Sequence, residues 1–194
     1  MFIRNWKKEI LTVPNFLSLI RLGLLPVYVR VYLNAVRPGD YLLAGGLLAV
    51  SCLTDLLDGW IARKLKQVTT LGKILDPLAD KITQFTLTVC LSLRHPELRQ
   101  VLLLFMVKEI LQLAIGFAFL LKGQMLPGAL MAGKVCTTVL FISQIGLVLL
   151  PKLPSAAIRI LAFVDGVFLL VSFGSYLLAY FGSDVKVQKL DTTE

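Results

Sequence analysis

Residues 55–80 read DLLDGWIARKLKQVTTLGKILDPLAD and place four aspartates between two blocks of apolar residues. On a helical wheel Asp55 and Asp58 are about 60° apart, and Asp76 and Asp80 are about 40° apart, so each pair shares one helix face. A short link between the two helices would make them antiparallel neighbours. The pattern therefore predicts that the two acidic faces meet near one end of the helix pair.

Small residues accompany both pairs of acids. Gly59 and Ala62 follow the first pair on its helix, and Gly72 precedes the second pair. We expect the first of these helices to continue to about Lys64 and the next to begin near Gly72. Small side chains would let a flat ligand approach the backbone closely. The same spacing also suits close packing of two membrane helices, so this alternative stays open.

The sequence on either side of this stretch is unusually apolar. The chain has 194 residues, of which 57% are hydrophobic and 16% are charged, whereas about 25% are charged in an average soluble domain. With flanking helix included, most of the apolar blocks reach the roughly 20 residues that cross a bilayer. We therefore predict an all-α integral membrane protein with six transmembrane helices, one for each of the blocks 15–33, 41–54, 82–93, 98–121, 129–150 and 156–181.

The chain ends differ from this apolar body. Residues 2–13 place their apolar side chains on one face and basic side chains on the other, which is typical of a short amphipathic helix lying in the membrane interface. The last residues are polar. We expect an interfacial helix at 1–13, a six-helix domain at 14–182 and a polar tail at 183–194.

The positive charges lie mainly at the ends of the apolar blocks. The net charge is +8, and this distribution favours anionic lipid headgroups over nucleic acid as the partner. Lys and Arg are enriched at the N-terminus, in the second and fourth links and in the tail, which predicts a multi-pass protein with both termini and the acidic residues on the cytoplasmic side.

The three cysteines, Cys52, Cys90 and Cys136, lie far apart inside apolar blocks. Their spacing fits neither a disulfide framework nor a zinc-binding motif.

The four aspartates would make membrane insertion unfavourable in free energy unless their negative charge is neutralised. One aspartate at the centre of a membrane helix costs about 2.5–3.5 kcal/mol on insertion scales, so four would cost on the order of 10 kcal/mol. Mg²⁺ or Mn²⁺ would offset this, and two such ions could hold a diphosphate between them.

A cation transporter is the alternative from another class of protein. It would spread its acids over several spans, whereas these lie at one end of two adjacent helices, which favours an enzyme.

The spacing of the whole stretch is D-x-x-D-G-x-x-A-R-x8-G-x-x-x-D-x-x-x-D. It resembles the signature of the CDP-alcohol phosphatidyltransferase family, with every signature position filled. Residues 14–21 are similar to the first span of that family. The sequence from Gly133 to Thr137 resembles a feature of its phosphatidylglycerophosphate synthase and cardiolipin synthase branches.

The resemblance implies a role for each signature residue. Asp55, Asp58, Asp76 and Asp80 would bind two Mg²⁺ or Mn²⁺ ions, and Asp80 would also act as the general base. The resemblance further implies a homodimer whose site opens to the cytoplasm. The CDP-linked lipid, CDP-diacylglycerol, would lie against Asp58, Gly59, Ala62, Arg63 and Gly72.

The acceptor alcohol is indicated by residues outside the aspartate stretch. An anionic acceptor such as glycerol 3-phosphate would be bound by Lys134, Thr137, Lys108 and Arg21. Other interpretations remain open: Lys108 could pair with Glu109, Lys134 could extend to the membrane surface, and Arg21 could be a structural counter-ion. Phosphatidylglycerophosphate synthases typically have Arg-Glu where this chain has Lys108 and Glu109.

The leading expectation is transfer of a phosphatidyl group from CDP-diacylglycerol to glycerol 3-phosphate, with release of CMP. Cardiolipin synthesis from phosphatidylglycerol is the alternative within the same chemistry. An inactive member of the family is a third possibility, against which the intact aspartates argue. Asp165 receives no role.

Overall fold

Almost the whole described chain is helical. The computed structural model describes residues 12–64, 72–121, 124–125, 131–181 and 188–189. The interfacial helix predicted for 1–13 and the predicted tail lie almost entirely outside these residues. The described part contains six α-helices: α1 (Val13–Leu33), α2 (Pro38–Lys64), α3 (Gly72–Arg94), α4 (Arg99–Leu121), α5 (Met131–Leu149) and α6 (Ser155–Phe181).

Side-chain hydrogen bonds of Asn34 and Asp40 hold the short link between α1 and α2. Helix α1 has a proline in its first turn and ends where the Asn34 side-chain amide donates to the Arg30 carbonyl at 2.8 Å. The Asp40 carboxylate accepts the backbone N–H groups of Val36 and Arg37 at 3.0 and 2.8 Å. These two hydrogen bonds hold the pKa of Asp40 below its usual value.

The ends of the two acidic helices confirm the prediction from sequence. Helix α2 ends at Lys64 and helix α3 begins at Gly72. After α3, Pro96–Leu98 form one turn of 3₁₀ helix. The strands β1 (Gln124–Met125) and β2 (Gln188–Lys189) form a two-residue antiparallel pair.

Four stretches of the described helices are long and apolar enough to cross a membrane: Asn15–Leu33, Pro96–Phe119, Met131–Leu149 and Ser155–Tyr180. Between 17% and 39% of the most apolar part of each stretch is buried inside the protein. Large apolar side chains such as Phe16, Leu103 and Leu178 are 61–77% exposed, as expected where a surface faces lipid rather than water. The chain is thus a multi-pass membrane protein. Helices α2 and α3 carry the aspartates.

The chain divides into two compact units. The first contains Met1–Leu91 and Ile145–Lys152. In its core Tyr28 stacks on Tyr32, with ring centroids 5.6 Å apart, and Tyr32 meets the edge of Tyr41 at 6.2 Å. Tyr28 and Tyr32 are at most 1% exposed. These rings pack α1 against the start of α2.

The second unit contains Ser92–Gln144 and Leu153–Glu194. Its core is built from side chains of α4, α5 and α6, together with Leu98 of the 3₁₀ turn. Near the end of α6, Tyr180 packs against Tyr176 and Phe119, with ring centroids 5.7 and 6.1 Å apart. The buried apolar residues include Leu98, Val101, Phe105, Cys136, Leu140, Ile158 and Leu169.

Candidate active site

Two of the four signature aspartates are bound by side chains of α1. The Ser18 hydroxyl donates to Asp76 Oδ1 at 2.6 Å, and the Arg21 guanidinium donates to Asp80 Oδ1 in an ion pair. The Arg21 side chain is 2% exposed, whereas that of Asp80 is 57% exposed. Helix α1 therefore binds both acids of α3, and Asp80 still reaches the surface.

These contacts arise from a buried polar stripe on α1. Asn15, Ser18 and Arg21 follow one another at intervals of three residues and are 1%, 0% and 2% exposed. This spacing places them on one face of an otherwise apolar helix. An arginine in a membrane helix costs about 2.5–3.5 kcal/mol unless it faces the protein interior and finds a partner. Asp80 is such a partner.

The other signature positions are described only as backbone. Asp55 and Asp58 lie within the last ten residues of α2, and Gly72 is the first residue of α3. Among the side chains that the structure does describe, no three His, Cys, Asp or Glu residues come together. The meeting of all four aspartates therefore stays a prediction. The predicted site residues whose side chains lie outside the description are Asp55, Asp58, Gly59, Ala62, Arg63 and Gly72.

Asp76 and Asp80 suit the divalent cation that the sequence implies. They are four residues apart in α3, which places their carboxylates on one helix face about one turn apart. Carboxylate oxygens are preferred ligands of Mg²⁺ and Mn²⁺. The exposure of Asp80 makes its carboxylate accessible to a ligand. Both residues thus fit a metal-binding role.

Lys108 lies in a buried polar group of the second unit. Its Nζ donates to Glu109 Oε1 at 2.7 Å, and the two side chains are 5% and 14% exposed. The same Nζ is 5.9 Å from the centre of the Tyr176 ring, within the range of a cation–π contact. The pairing with Glu109, left open by the sequence, is thus present. An ammonium group has three donors, so this pair is compatible with phosphate binding as well.

The Tyr176 ring is packed against a glycine of α5. A Cβ atom on Gly133 would lie 2.6 Å from the Tyr176 hydroxyl oxygen and 3.0 and 3.2 Å from two ring carbons. Tyr176 is only 7% exposed, so its ring has little room to move. The glycine therefore allows Tyr176 to lie beside Lys108.

The next predicted acceptor residues lie in the first turns of α5. Lys134 is exposed, as expected for a lysine whose side chain extends to the membrane surface. The hydroxyls of Thr137 and Thr138 both donate to the Lys134 carbonyl at 2.9 Å. The Thr137 proton is therefore directed into its own helix, and the hydroxyl can offer an acceptor only.

Sequence reasoning missed two residues of these sites. Ser18 was not singled out, although a serine three residues before a membrane-buried arginine was a usable signal. Tyr176 gave no signal, because a tyrosine in an apolar helix is ordinary. Arg21 was predicted to bind the acceptor, with a role as structural counter-ion left open, and its ion pair with Asp80 agrees with the counter-ion role.

Comparison with known proteins gives the context of this site. Residues 11–174 match the profile of the CDP-alcohol phosphatidyltransferase family. The chain belongs to that family. The match spans α2 and α3 and covers most of the chain, which confirms the resemblance seen in the aspartate spacing. The chain is therefore an enzyme of this class.

Several curated members of the family are similar to the chain. The CDP-diacylglycerol–glycerol-3-phosphate 3-phosphatidyltransferase of Aquifex aeolicus is 35% identical over 176 residues, covering 88% of this chain and 97% of that protein. The human cardiolipin synthase (CMP-forming) is 40% identical over 117 residues, which are 60% of this chain and 37% of that protein. The Pseudomonas fluorescens CDP-diacylglycerol–glycerol-3-phosphate 3-phosphatidyltransferase is 33% identical over 88 residues, 45% of each chain.

Proposed function

We propose that this CDP-alcohol phosphatidyltransferase moves the phosphatidyl group of CDP-diacylglycerol to glycerol 3-phosphate and releases CMP. The observation that carries the proposal is the pair Asp76 and Asp80, held side by side on α3 by Ser18 and Arg21 of α1. The similarity to the Aquifex enzyme, which extends over 97% of that protein, supports this acceptor.

Cardiolipin synthesis is the second candidate because the human cardiolipin synthase shares 40% identity with part of the chain. The match covers only 37% of that protein. The similarity to the Aquifex enzyme covers both chains almost completely. Coverage therefore favours glycerol 3-phosphate over phosphatidylglycerol as the acceptor.

The carboxylates would perform the chemistry in one displacement. Asp80 accepts the proton of the acceptor hydroxyl, and the acceptor oxygen bonds to the phosphorus next to the diacylglycerol. The bond from that phosphorus to the bridging oxygen of the diphosphate breaks, and CMP leaves with the electron pair. Two Mg²⁺ or Mn²⁺ ions held by Asp55, Asp58, Asp76 and Asp80 would supply charge stabilisation for the phosphates.

The remaining contacts of the substrates extend this proposal. Arg63 would lie near the cytidine, in the pocket formed by Gly59, Ala62 and Gly72. Lys108 and Lys134 would bind the phosphate of the acceptor by charge-assisted hydrogen bonds. Lys108 is buried and paired with Glu109, so in this role its remaining N–H donors would have to face the acceptor.

We also propose the wider architecture of the enzyme. All six described helices would span the membrane, preceded by the interfacial helix 1–13 and followed by the tail 183–194. Both termini and the aspartates would face the cytoplasm, and two copies would form a homodimer. The excess of Lys and Arg on one side of the apolar blocks supports this orientation.

A product assay tests the proposal directly. Purified protein in micelles would receive CDP-diacylglycerol, Mn²⁺ and either glycerol 3-phosphate or phosphatidylglycerol, and CMP release would be followed. We expect CMP with glycerol 3-phosphate, and at least a hundredfold less with Asp76→Asn or Asp80→Asn, because each loses a negative charge at the reacting phosphates. Asp40→Asn, at the exposed start of α2, is the matched control and should retain activity.

Two results would contradict the proposal. CMP release with phosphatidylglycerol alone would assign the chain to cardiolipin synthesis. Full activity in Asp80→Asn would remove that residue from the chemistry.

A further inference from the structure

The polar stripe of α1 points to a positioning role in the reaction. We propose that Ser18 and Arg21 hold Asp76 and Asp80 in their working orientations, so that α1 forms part of the carboxylate site. This inference rests on the proposed function, because it gives the two aspartates their catalytic and metal-binding roles. It assigns Arg21 to the protein's own carboxylate and not to the acceptor phosphate.

The geometry favours this assignment for Arg21. Its side chain is 2% exposed and is bonded to the carboxylate of Asp80. A residue that captures an incoming anionic substrate must present its charge to the substrate, and Arg21 presents its charge to the protein. The exposed member of the ion pair is Asp80, whose side chain is 57% exposed. The substrate would therefore meet Asp80, with Arg21 behind it.

Ser18 makes the matching contact one turn earlier along the stripe. Its hydroxyl donates to Asp76 Oδ1 at 2.6 Å, and Ser18 is completely buried. A hydrogen bond to one carboxylate oxygen fixes which way the other oxygen points, as outer residues do for metal ligands. Together, Ser18 and Arg21 would set the direction of two neighbouring carboxylates on α3.

The kinetic test separates positioning from acceptor binding. Misplacing a reacting group by about 1 Å costs on the order of a hundredfold in rate. We therefore expect Arg21→Ala to lower kcat by roughly 10- to 100-fold while the KM for glycerol 3-phosphate changes by less than about threefold. Arg30→Ala is the matched control, since Arg30 is exposed on the same helix, and its kcat and KM should match the wild type.

Arg21→Lys keeps the protein measurable if Arg21→Ala does not fold. Lysine retains the charge and the stem but loses the planar fork. We expect an intermediate kcat, again with a nearly unchanged KM for glycerol 3-phosphate. An unchanged kcat with a KM for glycerol 3-phosphate raised tenfold or more would overturn the positioning role and restore acceptor binding. Kinetics identical to those of Arg30→Ala would also overturn it.

A binding measurement without substrate tests Ser18. The dissociation constant of Mn²⁺ would be measured by the electron paramagnetic resonance signal of the free ion. Loss of a partner that orients a metal ligand typically weakens metal binding by about 10- to 100-fold, so we expect Ser18→Ala to bind Mn²⁺ at least tenfold more weakly and Ser18→Thr, which keeps a hydroxyl, to bind it more tightly than Ser18→Ala. Unchanged Mn²⁺ binding in Ser18→Ala would overturn the inference for Ser18.

The two proposals can fail separately. Wild-type protein that binds Mn²⁺ but releases no CMP with glycerol 3-phosphate would contradict the proposed function, and the effect of Ser18→Ala on Mn²⁺ binding would still stand. Wild-type CMP release together with unaffected Ser18 and Arg21 variants would contradict the inference alone.

Discussion

The close packing of Gly133 against Tyr176 leads to a quantitative prediction. In Gly133→Ala the new Cβ would lie 2.6 Å from the Tyr176 hydroxyl oxygen, well inside van der Waals contact. Overpacking a closely packed interior costs about 1–3 kcal/mol. Alanine also gains about 0.5–1 kcal/mol over glycine as a helix former. The net effect of the substitution is the difference between these two terms.

Gly146→Ala isolates the packing cost. Gly146 lies in the same helix as Gly133, and no described atom lies within 4 Å of a Cβ built on it. Both substitutions share the gain in helix propensity, so their difference in stability is the packing term of about 1–3 kcal/mol. At roughly 2–4 °C per kcal/mol for a chain of this length, Gly133→Ala should unfold several degrees below Gly146→Ala in thermal denaturation in micelles.

Tyr176→Phe identifies the atom responsible. It removes the hydroxyl oxygen at 2.6 Å but leaves the ring carbons at 3.0 and 3.2 Å. In this background the cost of Gly133→Ala should fall by at least about 0.5 kcal/mol, the lower end of coupling energies between residues in contact. Equal melting temperatures for Gly133→Ala and Gly146→Ala would refute the reasoning, as would a cost that is the same with and without the hydroxyl.

Three further predictions concern other parts of the chain. Gly45→Ala should lower the free energy of unfolding by less than about 1 kcal/mol, measured by thermal denaturation. The atoms next to the new methyl group belong to the end of the Leu149 side chain, which is flexible and 42% exposed. A larger loss of stability would show that Leu149 cannot move. Asp165→Asn should change the free energy of unfolding by no more than about 1 kcal/mol. Asp165 is 1% exposed and its Oδ1 has no hydrogen-bond partner in the described part of the chain, so the substitution breaks no bond at that atom. A loss of about 3 kcal/mol would instead indicate that Asp165 is part of a buried charge pair. Burial lowers the pKa of His95 below its ordinary value of 6.5, so the folded state favours the neutral imidazole. Stability should therefore decrease as the pH falls below that value, and His95→Gln should remove this part of the pH dependence. A pH profile of stability that is the same in His95→Gln and in the wild type would contradict this prediction.

The positions of the helices could be predicted from the sequence because they depend on local properties. Apolar blocks and polar links mark where a helix can lie in lipid, and the structure has one helix for each of the six blocks. The ends at Lys64 and Gly72 were predictable because four of the seven residues between them, Lys66, Gln67, Thr69 and Thr70, are polar and interrupt the apolar blocks. The aspartate spacing indicated the family for the same reason, since a spacing pattern is contained in the chain itself.

The contacts between helices could not be predicted in the same way. Periodicity shows that Ser18 and Arg21 share a face, but the acids that this face meets depend on the rotation and the register of α1 against α3. Two roles therefore stayed open for Arg21, binding of a substrate phosphate and a structural counter-ion, because a membrane arginine needs an anion and the sequence does not say which. The packing of Tyr176 on Gly133 is a contact of the same kind, set by the register of α5 and α6.

Helix α1 is in contact with both of the helices that carry the signature aspartates. Its buried aromatic residues pack against the start of α2 through Tyr32 and Tyr41, and its buried polar residues bind the two acids of α3. A shift of α1 along its axis would therefore displace Ser18 and Arg21 from Asp76 and Asp80. The placement of the Asp76 and Asp80 carboxylates would therefore depend on a helix that contributes no carboxylate itself, and substitutions in its buried stripe should affect turnover more than their distance from the substrate suggests.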